Sequence, residues 1–189
     1  MDFTERCYSL LLVSSSAKFN QSLLTLLPET RYQPVVLASD VTSARRSLLE
    51  NSFDIVIINT PLPDSFGTRL ALDVCENSST GILLLVKTEH YSDINARVSP
   101  YGILTLSKPT PIQMITQSLL LLCGTRERLR KMEQKTASIE EKMAEIRLVN
   151  KAKWFLISEL SMSEPEAHRY IEKQAMDRCI PKRSIAEEI

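Results

Sequence analysis

D-I-V-I-I, residues Asp54 to Ile58, is the stretch on which the fold turns. Four branched aliphatic residues in unbroken succession leave no polar face for water, so the strand is predicted to be buried on both sides. Parallel sheets covered by helices bury strands in this way, whereas a half-exposed antiparallel strand alternates. Working outward, Ser9 to Val13, Val35 to Ala38, Ile82 to Val86 and Ile103 to Leu106 are four more apolar runs of the same kind. Helical patterns separate them around Phe19 to Leu27, Val41 to Leu49, Gly67 to Cys75 and Tyr91 to Val98, and a fifth follows at Pro111 to Leu122. Five such repeats over residues 8–122 predict an α/β fold, a doubly wound parallel five-stranded sheet with flavodoxin-like strand order. Function in such a sheet sits at the carboxyl ends of the strands.

Beyond this unit the period changes. Leu129, Met132, Thr136, Ile139, Met143, Ile146 and Asn150 step alternately by three and four, an a/d heptad seam that makes residues 123–150 a coiled-coil linker helix. Glu133, Lys135, Glu140, Glu141, Lys142 and Glu145 keep the remaining faces wet. A homodimer through this coil is predicted, parallel or antiparallel, with Leu129, Met132, Ile139, Met143 and Ile146 at its interface. Thr136 and Asn150 weaken the seam and set its register. The competing expectation is that the stripe packs on the helices that follow it.

Val149 to Ile189 then reads as three short amphipathic helices. Val149, Ala152, Leu156 and Leu160 share one face of the first. Ser163 and Glu166 form a capping box at the start of the second, which is expected to bury Ala167, Tyr170, Ile171 and Ala175. Pro181 suits the first turn of the third, where Ile185 and Ile189 repeat. Helices this short must pack on one another to persist.

The literal text of these helices carries a family signal. A-K-W-F-L-I at Ala152 to Ile157, S-E-P-E-A at Ser163 to Ala167 and R-Y-I-E-K-Q-A-M-D at Arg169 to Asp177 resemble the ANTAR module of AmiR and NasR type transcription antitermination regulators. With the end of the coil, the resemblance assigns residues 128–189 to that module. It implies an RNA-binding protein that grips paired stem-loops in a leader transcript and prevents an overlapping terminator from forming. The third helix, ending at Ile189, is short compared with the family's. Chemistry and position single out Lys153, Arg169, Tyr170, Lys173, Gln174, Arg178 and Lys182 for RNA contact.

The sheet carries a second resemblance. I-I-N-T-P-L-P-D-S-F-G at Ile57 to Gly67 and S-K-P at Ser107 to Pro109 resemble the phosphoacceptor loop and the lysine–proline step of a response-regulator receiver, a CheY-like fold. Working receivers gather carboxylates that hold Mg²⁺ and accept a phosphoryl group. Here the acidic-pair positions are Ser14 and Ser15 and the phosphoacceptor position is Asn59, while Lys108 is retained. The hydroxyl position of the fourth strand falls on Val86. Asp54 opens its strand at the far end and Asp64 lies in a loop, so neither replaces the missing cluster. The resemblance therefore implies a pseudo-receiver that takes up no phosphate. Lys108 is expected to be solvated or bonded to Asn59. Control would come from a sensor protein, a small molecule or the oligomeric state.

Composition agrees with a regulator and not with an enzyme. Cys7, Cys75, Cys123 and Cys179 are scattered, and only His90 and His168 could join them, so no metal and no cofactor is expected. No G-x-S-x-G, H-E-x-x-H or Gly-rich phosphate loop occurs. No leader-like or membrane-length apolar run is present, and a cytoplasmic location with no membrane contact is expected. Net charge is zero, with nine Lys and Arg against eleven Asp and Glu up to Thr125, and fourteen against twelve after it. Such balance argues against a protein that coats nucleic acid indiscriminately, and charge alone does not suggest RNA. Trp154 beside Phe155 could stack on bases, but core or dimer packing is the stronger expectation. Two other classes stay open: a response regulator with a DNA-binding output, and a protein-interaction regulator without RNA affinity.

Overall fold

A computed structural model describes residues 6–189, which divide into two compact units after Arg130. In the first unit five parallel strands, β1 (Tyr8–Val13), β2 (Tyr32–Ala38), β3 (Ile55–Asn59), β4 (Gly81–Lys87) and β5 (Leu104–Lys108), stand in the order β2-β1-β3-β4-β5. Helices α1 (Ala17–Leu24), α2 (Val41–Glu50), α3 (Thr68–Asn77) and α4 (Thr88–Val98) connect them. Side chains alternate across a strand, so each strand feeds two cores. Leu11, Val13, Val56, Ile58, Leu84 and Val86 pack on one side with Ala44, Leu70, Val74 and Ile94 of α2, α3 and α4. Leu10, Leu12, Ile55, Ile57, Leu83 and Leu85 pack on the other with Leu23 of α1 and with Ile115, Leu119 and Leu122 of α5 (Ile112–Leu160).

Burial on both faces holds for β1, β3 and β4 only. β2 and β5 are edge strands with one neighbour each and are half-exposed, a correction to the expectation of uniform burial. Pro34 lies in β2, where an edge tolerates a missing N–H donor. Two glycines are required by position. Gly67 caps α3 with φ +90°, and a Cβ there would meet Ile58 Cγ2 at 3.0 Å. Gly81 lets β4 pass beneath α5, since a Cβ would meet Leu122 Cβ at 3.2 Å.

The second unit is built around Ala152 and Leu156 of α5, Ala167, Ile171 and Ala175 of α6 (Glu164–Asp177), and Ile185 and Ala186 of α7 (Lys182–Glu188). The first of its three helices is not short: it is the end of α5, which runs unbroken for 49 residues. At the head of α6, Ser163 donates to Glu166 Oε2 from both its backbone N (2.8 Å) and its Oγ (2.7 Å). Left-handed Ser161 (φ 52°) and Cys179 (φ 49°) end α5 and α6 without glycine. Two expected core residues are exposed, Leu160 at 57% and Tyr170 at 39%. Leu160 is the last residue of its helix, and Tyr170 sits on the flank of α6, outside the line of Ala167, Ile171 and Ala175. Among the described residues no helix is long and apolar enough to cross a membrane.

Candidate functional site

Three strand ends of the first unit bring Ser14, Asn59 and Lys108 together. The Asn59 side chain, buried at the end of β3, donates through Nδ2 to Ser14 Oγ at 3.0 Å. Its Oδ1 accepts from Lys108 Nζ at 2.9 Å, and Nζ also donates to the Thr60 carbonyl. An amide holds a donor and an acceptor in one side chain, and here both are used; a carboxylate offers only acceptors. Burial, with Lys87 nearby, pulls the Lys108 ammonium below the ordinary lysine range. Ser14 Oγ further accepts from Ser16 N at 3.2 Å, while Ser15 is exposed.

The remaining receiver positions are equally occupied. Val86 is fully buried, and the nearby hydroxyls tie backbone, Thr60 Oγ1 to the Leu85 carbonyl at 2.9 Å and Thr88 Oγ1 to the Lys108 carbonyl at 2.8 Å. Asp64 accepts from Val41 N (3.0 Å) and Thr42 N (3.1 Å) at the head of α2, and these N–H groups hold its carboxyl below the usual range. Asp54 accepts from Ser9 N at 3.1 Å and lies 3.5 Å from Arg126 Nε. Both carboxylates are thus engaged elsewhere. Among the described residues no group of His, Cys, Asp and Glu could hold a metal ion. The site is a hydrogen-bonded polar cluster without an anionic oxygen.

In the second unit the seven residues selected for RNA contact separate into two groups. Lys153 Nζ bonds Glu164 Oε1 at 3.2 Å, Lys182 Nζ bonds Glu172 Oε1 at 2.5 Å, and Arg178 makes a two-pronged contact with Glu188, Nη2 to Oε1 at 2.8 Å. These three cations are already matched by carboxylates. Arg169 and Lys173 are four residues apart on the outer face of α6, opposite Ala167, Ile171 and Ala175, and both are exposed. Neither has a carboxylate partner among the described residues. Tyr170 and Gln174 lie together on the adjoining flank. Trp154, 71% exposed, and Phe155, 50% exposed, contradict the core-packing expectation, because Ala152 and Leu156 turn the buried side of α5 away from them.

The seam residues on α5 are likewise uncovered. Leu129, Met132, Ile139, Met143 and Ile146 are all exposed, and so are Thr136 and Asn150. The expectation that this stripe packs on the following helices is not met within one chain.

Taken together, the fold and these two sites define a receiver-fold protein with a C-terminal helical module. Residues 137–189 match the model of the ANTAR domain, and the module is an ANTAR domain. The chain is 25% identical over 178 residues to the transcriptional regulatory protein PdtaR of Mycobacterium tuberculosis, covering 94% of this chain and 86% of that one. It is 30% identical over 89 residues to the aliphatic amidase regulator of Pseudomonas aeruginosa, covering 47% and 44%. Among solved structures, the signal receiver domain of an HD domain-containing protein from Pseudomonas fluorescens superposes with a TM-score of 0.60 at 27% identity, over 69% of this chain and 96% of that one. The receiver domain of the TMAO respiratory response regulator TorR shares the fold, with a TM-score of 0.55 at 19% identity over 61% and 96%.

Proposed function

We propose that the chain is a cytoplasmic, RNA-binding regulator of transcription that works by antitermination, gripping stem-loops of a leader transcript so that a terminator cannot form. The observation that carries this reading is the ANTAR domain itself, with the unpaired cations Arg169 and Lys173 on its outer face beside Tyr170 and Gln174. Phosphate contacts from such cations position RNA, and exposed polar and aromatic groups read its unpaired bases. Residues 8–122 serve as a pseudo-receiver, 123–150 as the linker coil and 128–189 as the RNA-binding module.

Two features support the regulatory part. The amide of Asn59 is a poor nucleophile held by Ser14 and Lys108, so a signal reaches this domain through a bound sensor protein or small molecule and not through phosphorylation. The uncovered seam favours a homodimer through α5. In a parallel pair Lys135 faces Glu140 of the partner subunit, whereas an antiparallel pair sets Lys135 against Lys142, so charge favours the parallel arrangement.

Sequencing RNA that co-purifies with the full chain tests the proposal. Enrichment of leader segments with paired stem-loops, bound in preference to duplex DNA and weakened by salt, is the expected result. Recovery of proteins and no RNA would replace it with the protein-interaction reading, which the electroneutrality of the second unit, eleven Lys and Arg against eleven Asp and Glu, otherwise favours.

A further inference from the structure

The face of α5 opposite the ANTAR core is built from basic and aromatic residues at helical spacing. Arg147, Lys151, Trp154 and Ser158 follow one another at four, three and four residues, and all four are exposed. The carboxylates of the same stretch, Glu145 and Glu159, fall off this line of residues by the same spacing. Neither Arg147 nor Lys151 has a carboxylate partner among the described residues, in contrast to Lys153, Arg178 and Lys182. Trp154 is the chain's only tryptophan and leaves 71% of its surface in water. Phe155 adds a second half-exposed ring at the edge of the ridge. On the other side of the indole, Asn150, Ile157, Met162 and Ser163, with the paired Lys153 and Glu164, line a hollow.

A second copy of the chain is a poor fit for this ridge. Past Ile146 the next seam places are Asn150 and Lys153, and Lys153 is tied to Glu164, so polar residues interrupt the apolar seam beside Trp154 before it resumes at Ile157 and Leu160. What remains is two uncompensated positive charges within reach of a stacking surface, which complements a polyanion carrying flat, unpaired bases.

We infer that Arg147, Lys151 and Trp154 form a second RNA-contact surface, distinct from the Arg169 and Lys173 face of α6, on which Trp154 stacks an unpaired nucleobase while the two cations hold adjoining phosphates. The inference rests on the RNA-binding reading above. It adds the site and the kind of nucleotide, an unpaired loop base, that the site takes. Stacking is sequence-tolerant, since every base has a π face, and the Asn150 amide at the rim of the hollow supplies edge donors and acceptors.

The lone tryptophan makes the test direct. The full chain is titrated with an RNA stem closed by an adenine loop, and in parallel with the same stem closed by a polyethylene-glycol linker. Tryptophan emission is excited where tyrosine does not absorb, and binding is followed independently by the anisotropy of end-labelled RNA. The adenine loop should quench Trp154 saturably and the linker-closed stem should not. Trp154→Ala should weaken binding of the adenine loop by roughly five- to a hundredfold, Trp154→Phe by much less, with melting temperatures unchanged because the side chain is exposed. RNA binding with unchanged emission, and equal affinity for Trp154→Ala, would overturn this surface while leaving the proposed function standing. Emission that shifts to the blue with protein concentration alone would overturn it in favour of an interface between copies. Absence of RNA binding in the anisotropy arm would remove the function and this inference together.

Discussion

Lys108 Nζ donates to Asn59 Oδ1 at 2.9 Å, and the same amide turns its nitrogen to Ser14 Oγ at 3.0 Å. One side chain thus closes a link between the ends of β1, β3 and β5. With acetyl phosphate and Mg²⁺ the intact mass of the chain should stay unchanged, and Asn59→Asp alone should not restore uptake, since Ser14 and Ser15 supply no anionic ligands for the cation. A stoichiometric phosphoryl adduct on the wild-type chain would show that another carboxylate serves as acceptor.

The exposed seam predicts self-association. Light scattering should return a dimer for the wild-type chain and a monomer for Ile139→Glu with Met143→Glu, which sets four like charges in one interface. Equal masses for the two proteins would remove the coil as the dimerisation element.

RNA affinity should divide along the two groups of cations. Replacing Arg169 and Lys173 by Ala should flatten the dependence of log affinity on log salt by roughly 0.7–0.9 for each phosphate left without its cation, and should abolish antitermination from a leader reporter. Arg178→Ala mainly releases Glu188 from an exposed, solvent-screened pair, and should leave the salt slope nearly intact. A slope that falls with Arg178 and not with Arg169 and Lys173 would move the RNA surface to the other side of the bundle.

Ala167 has no accessible surface and belongs to the core of the bundle. Ala167→Leu should cost about 1–3 kcal/mol through overpacking, seen as a lowered denaturation midpoint. RNA binding should then be lost only in proportion to the unfolded fraction. A folded Ala167→Leu chain with wild-type stability would mean that the bundle has slack at that point.

Acid should loosen the second unit. Bonds from Ser163 to Glu166, from Lys182 to Glu172 and from Arg178 to Glu188 hold these carboxyls below their usual value of 4.5. Folded-state values below unfolded ones contribute stability that is fully present above that pH and is lost as pH falls through the lowered values. Thermal melts of the chain should therefore be flat near neutrality and drop below about pH 4.5, with a shallower acid limb for Glu172→Gln. An unchanged limb in that variant would place the acid sensitivity elsewhere.

The sheet and the ANTAR module were legible because each rests on local pattern. The unbroken Ile55–Ile58 run has one physical reading, and the capping box at Ser163 and Glu166 announces where α6 begins. Edge exposure of β2 and β5 was not legible, because strand order is a property of the whole sheet. The pairing of Lys182 with Glu172, ten residues away on another helix, depends on how α7 returns along α6. Spacing alone also leaves Trp154 undecided between core and surface, since only the placement of α6 and α7 against Ala152 and Leu156 settles which side of α5 is inside.

The carboxylates that clasp Lys153, Arg178 and Lys182 have a consequence for kinetics. An electroneutral unit, eleven Lys and Arg against eleven Asp and Glu, projects little net field beyond a Debye length, so a distant polyanion feels no pull toward it. Under the proposed function, encounter with a transcript is left to ordinary diffusion, and discrimination is made after touch, by whichever loop engages the cations that have no carboxylate partner.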